Sequence, residues 1–154
     1  MQAIEKTLID TNWITLLFLF LFTCVFLLKG LSHAKLKGTV SSFVNHTFVK
    51  AEVEEKTSFF SLFKCVIFVF TMAVLSLVIY KVLLFYDFWT SQDFSNYMKV
   101  LSIVSSYFLI KWAIEFVLSY LFVIQKQVYF FIISKTIYLY STAFFLLISL
   151  VLVQ

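Results

Sequence analysis

The apolar positions of this 154-residue chain fall into four long runs: Trp13 to Leu31, Phe59 to Tyr86, Tyr97 to Ile124 and Val128 to Val153. A helix needs roughly 20 such residues to cross the hydrocarbon core of a bilayer, and each run is of that order or longer. The pattern predicts an all-α integral membrane protein with four transmembrane helices. These runs use most of the residues, so no separate soluble domain is left and residues 1–154 read as one membrane domain.

The connection between the first two runs is patterned differently. Leu36, Val40, Phe43, Val44, Thr47 and Phe48 recur at i, i+4, i+7, i+8, i+11 and i+12, one apolar face of a short helix over about 34–49 flanked by lysines. An amphipathic helix of this kind lies in the headgroup plane with its apolar side down. The competing reading is that the face packs against another protein subunit. Glu52, Glu54, Glu55 and Lys56 then read as a solvated turn into the second span.

Composition strengthens the membrane assignment. The chain is 62% hydrophobic and 13% charged, with a mean hydropathy of +1.01, too few polar groups to cover a soluble domain. Every basic residue is lysine. The guanidinium fork that recognises phosphate and carboxylate in two-pronged fashion is therefore absent. With a net charge of only +4, nucleic acid is not an expected partner.

Lysine distribution sets the expected orientation. Lys29, Lys35, Lys37, Lys50 and Lys56 crowd the first connection and Lys126 marks the third, whereas residues 87–96 hold two acids and no lysine. Both basic connections are expected in the cytoplasm and both termini outside, with Trp13, Tyr86 and Trp89 as outer interfacial aromatics. On that topology the sequon Asn45, His46, Thr47 is a coincidence. The first run is too long for a signal-peptide core and no small-residue cleavage site follows, so it reads as a retained helix. Cys24 and Cys65 read as small core residues, since a disulfide at that end would face the reducing cytoplasm. Lys64 and Lys81, near the ends of the second span, are expected to extend their ammonium groups to the interface. Only Gln154 follows the last run, so the chain either stops at the membrane surface or continues through further helices.

Candidate chemistry is confined to charges within the third and fourth runs. Counted from a turn at Lys126, Glu115 is eleven residues before and Lys135 nine after, which places both roughly 13–17 Å from the turn on adjacent helices. Lys111 precedes Glu115 by one helical turn on the same face. One carboxylate is thus expected to meet two ammonium groups, with Tyr107, Ser134 and Tyr138 close enough to supply hydrogen bonds. Ionisable groups in a span are costly and normally paired or functional. Three readings follow: an ion pair that fixes helix register, a relay or ion site that exchanges protons, or a docking point for a partner whose acid neutralises the spare lysine.

Other chemistries lack their signatures. Proline is absent and both glycines, Gly30 and Gly38, lie at or beyond the end of the first run, so the spans lack the interruptions of many transporter sites. His33 and His46 lie outside the spans and fit neither haem ligation nor a zinc pattern. No serine elbow or glycine-rich phosphate loop is present. No catalytic residue, metal or cofactor is expected. Ala73 and Ser76 in the second run, and Ser102, Ser105 and Ser106 in the third, are small residues suited to close helix packing against protein.

The run Leu109 to Phe116, continuing through Tyr120 to Phe122, then Phe130 to Lys135 and Tyr138, resembles domain-of-unknown-function family 4271. Asn12 and Trp13 leading the first run, then Phe43 and Phe48, resemble its opening. The resemblance implies a small multi-pass inner-membrane protein of the Bacteroidota, with Lys111, Glu115 and Lys135 as part of the family pattern and further helices beyond residue 154. It implies no activity. Such membranes house lineage-specific export and motility machines, and a non-catalytic subunit or assembly factor of one is the functional expectation. The alternative is a proton- or ion-coupled transport component using the charged cluster.

Overall fold

A computed structural model describes residues 12–43, 46–54, 61–86, 93–121 and 125–153. Among these residues six α-helices form: α1 (Asn12–Leu31), α2 (His33–Val40), α3 (His46–Glu54), α4 (Leu62–Phe85), α5 (Phe94–Leu121) and α6 (Gln125–Val153), with a 3-10 turn at Ser41–Phe43. No strand forms among the described residues. Four helices, α1, α4, α5 and α6, are long and apolar enough to cross a membrane, and the chain is an all-α, multi-pass membrane protein.

Helix α4 is the centre of the bundle and packs on α1, α5 and α6. Ile67, Phe70, Val74 and Leu77 of α4 are fully buried. Its polar side chains enter this apolar setting because their hydroxyls are satisfied within the helix. Thr71 donates to the Ile67 carbonyl at 2.8 Å and Ser76 to that of Met72 at 2.7 Å. An unpaired hydroxyl there would keep its full desolvation cost. The Tyr97 hydroxyl of α5 donates to the Ala73 carbonyl at 3.3 Å, so the small Ala73 and Ser76 face is used inside the bundle. Ser102 and Ser106 of α5 instead point outward, and Ser105 is half-buried.

Trp13 is more than an interfacial anchor. Its ring lies 5.7 Å from Tyr80, 5.8 Å from Phe94 and 5.7 Å from Tyr97, tying together the start of α1, the end of α4 and the start of α5. Tyr86 is exposed. Trp89, Val44, Asn45, Glu55, Lys56 and the first eleven residues lie outside the described residues, as do residues 122–124 of the last turn. Cys24 and Cys65 are both free thiols, the first buried and the second exposed.

The segment expected as one interfacial helix over about 34–49 differs in two respects. It is two helices, because Gly38, Thr39, Val40, Ser41 and Ser42 are weak helix formers in succession. The Ser41 hydroxyl donates back to the Lys37 carbonyl at 2.8 Å, and its N–H closes α2 onto Lys37 and Thr39. Ser32 starts α2 by accepting from the Lys35 N–H at 3.3 Å. Part of the apolar face also packs within the chain. Leu36 and Val40 pack against the main core, Thr39, Ser42 and Val49 are buried, and Ser141 of α6 donates to the Val40 carbonyl at 3.1 Å.

Candidate functional site

Helix α5 buries a single stripe: Tyr97, Val100 and Val104, then half-buried Phe108, Lys111 and Glu115, then Ser119. Spacings of three and four keep these positions on one side of a helix. The stripe is apolar where it meets the middle of α4 and polar in its last three turns, where it faces α6. Lys135 of α6 forms an ion pair with Glu115 Oε1. The Lys135 ammonium also stands 5.5 Å from the Phe131 ring centroid.

Lys111 does not join this pair, contrary to the expected two-to-one arrangement. Its ammonium sits over the Tyr107 ring, 5.8 Å from the centroid, a cation–π contact at an exposed tyrosine. The i, i+4 relation brings Lys111 and Glu115 to the same face but does not dictate rotamers, and the two side chains diverge. Glu115 Oε2 is buried with no hydrogen-bond partner among the described residues, and so is Ser134 Oγ. Ser134 therefore does not support the pair. Tyr138 borders the same groove as Lys111 and Lys135, and its carbonyl accepts from Thr142 at 2.8 Å.

The level of the pair in the bundle follows from a neighbouring ring contact. Phe68 of α4 stacks on Trp112 of α5, centroids 6.1 Å apart and planes inclined by 17°. Glu115 is three residues beyond Trp112, about 4.5 Å further along α5, level with Cys65 in the first turn of α4. The pair is accordingly not sealed, with the Lys135 side chain 34% and Glu115 19% exposed.

A second ionic group at this end has no counterpart in the sequence reading. Glu52 of α3, expected in a solvated turn, lies 3.7 Å from Lys35 of α2 and 3.5 Å from Lys64 of α4. Lys64, expected to extend to the interface, is paired with Glu52. Ser61 sets its place by accepting from the Lys64 N–H at 3.4 Å as the N-cap of α4. The partners are 17 and 12 residues apart, across three helices. No periodicity within one helix could pair them.

Two clefts flank the Phe68–Trp112 stack. The first, of about 370 Å³, lies among α2, α3, α4, α5 and α6 and is bordered by Lys35, Glu52 and Lys64. Phe48, from the expected apolar face, lines it. The second, of about 420 Å³, is a groove between α5 and α6 floored by Phe68 and Met72, with Tyr107, Lys111, Lys135 and Tyr138 along it. Among the described residues no group of three histidine, cysteine or acidic side chains could hold a metal ion. No curated protein and no solved structure matches the chain. One family model does, over residues 14–154, and the chain belongs to that family, described as domain of unknown function (DUF4271).

Proposed function

We propose that this protein is a non-catalytic subunit or assembly factor of a membrane complex, docking a partner's spanning helix along α5. The observation that carries this reading is the α5–α6 groove, where Lys111 lies over the Tyr107 ring without meeting the nearby carboxylate. A partner helix with an acidic side chain at this level would complete it, since an ammonium on a lipid-facing surface gains most from a direct counter-charge. The rest of α5 supports the reading. Only 11% of its most apolar stretch is buried, against 44% for α4.

In this reading the complex resides in the inner membrane of a bacterium of the Bacteroidota, where export and motility machines are candidate hosts. The basic first connection and the 125–127 turn face the cytoplasm. Lys111→Glu should remove the chain from its high-mass assembly on native electrophoresis in mild detergent. A suppressor selection should then return an acid-to-lysine change in a second membrane protein. Unchanged migration and protein level with Lys111→Glu would sink the proposal.

One observation favours a second reading, a proton- or ion-coupled component: the buried, unpartnered Oε2 of Glu115. The two readings part at Glu115→Gln. A subunit loses assembly or protein level, whereas a relay stays assembled and loses transport.

A further inference from the structure

The cleft on the α3 side of the Phe68–Trp112 stack has the chemistry of an amphiphile site. Its walls include Phe48, Phe68, Trp112, Ile133 and Tyr140, drawn from four helices. Its polar border is Lys35, Glu52 and Lys64, with the lysine side chains 30% and 25% exposed and the glutamate 10%. The acid is thus the most buried of the three and the two lysines are the more open. Their level matters as much as their charge. Lys64 is in the first turn of α4, and Lys35 is four residues beyond the end of α1, so both stand where two spanning helices end. From that level the cleft continues along α4 past Ile67 and Phe68. A charged rim at the span ends with an apolar channel leading inward is the orientation of a lipid in its own leaflet.

We propose that this cleft binds an anionic glycerophospholipid of the surrounding bilayer, its acyl chain along Phe68 and Ile133 and its headgroup at Lys35 and Lys64. Lysines near an anionic headgroup attract it, and pockets between spanning helices bind lipid headgroups in this way. The site is separate from the α5–α6 groove and does not depend on the partner proposed for it.

Trp112 lines the cleft and reports on it. The full chain carrying Trp13→Phe and Trp89→Phe, reconstituted in phosphatidylcholine vesicles, is titrated with brominated phosphatidylglycerol or brominated phosphatidylcholine. Phosphatidylglycerol should reach half-quenching of Trp112 at about fivefold lower mole fraction. Lys35→Gln/Lys64→Gln should erase that difference, and Ile133→Phe, which fills the cleft, should weaken quenching by both lipids. Lys111→Gln should leave the preference intact. Equal quenching by the two headgroups, or a preference that survives Lys35→Gln/Lys64→Gln, overturns the proposal. A preference lost with Lys111→Gln instead would move the anion to the α5–α6 groove and overturn it equally.

Discussion

At the scale of single residues, the Lys135–Glu115 pair behaves as a unit and Lys111 does not belong to it. Lys135→Met leaves a partly buried carboxylate with neither oxygen paired, and unfolding in mild detergent should show a loss of about 1.5–3 kcal/mol, the usual worth of a hydrogen bond to a charged group. Removing both charges with Glu115→Leu/Lys135→Met should recover most of that loss, because well-packed apolar pairs commonly replace buried ion pairs without penalty. Lys111→Met, measured the same way, should cost less than about 1 kcal/mol, the scale of an exposed cation–π contact. A Lys111→Met loss as large as that of Lys135→Met would contradict the geometry. The sequence placed all three side chains on facing sides of two helices. It could not choose between two ammonium groups equally near by backbone spacing.

Among the elements, the short α2 and α3 are the least autonomous, and their contact is decided by a glycine. A Cβ at Gly38 would collide with the Phe48 ring, so α3 approaches α2 only because position 38 has no side chain. Gly38→Ala gains about 1 kcal/mol of helix propensity but incurs overpacking of roughly 1–3 kcal/mol, and should lower the melting temperature. Adding Phe48→Ala should relieve the collision and reverse part of the shift. Gly30, near the end of α1, has open space where a methyl group would stand, and Gly30→Ala should be neutral or stabilising by a few tenths of a kcal/mol. The amphipathic period correctly marked an apolar face here. What packs beside that face was not legible, since Ser141 of α6, which donates to the Val40 carbonyl, is 101 residues away in sequence.

For the whole molecule, the lysine distribution carries a prediction about orientation. In a Cys24→Ala/Cys65→Ala background, Lys50→Cys on the exposed side of α3 and Lys99→Cys near the start of α5 stand at opposite ends of the bundle. A membrane-impermeant maleimide should label Lys50→Cys only from the cytoplasmic side and Lys99→Cys only from the outside, as lysine distribution demands. Labelling of both from one side would refute the four-span topology. The reverse pattern would invert the molecule and remove the basis for placing Lys35 and Lys64 in the cytoplasmic leaflet.

The long apolar runs by themselves determined that four helices cross a membrane, because spanning depends on length and mean hydropathy, both local properties of the chain. Which face of each span is inside could not follow from hydropathy. In lipid the outer face is as apolar as the core, so Phe116 and Phe70 look alike in sequence, yet the first is exposed and the second fully buried. Only tertiary structure decided that, together with the grouping of Lys35, Glu52 and Lys64 from three helices. Ionic contacts fall off steeply with distance and depend on helix tilt and rotamer. These are fixed when the helices pack, not by the spacing of residues along any one of them.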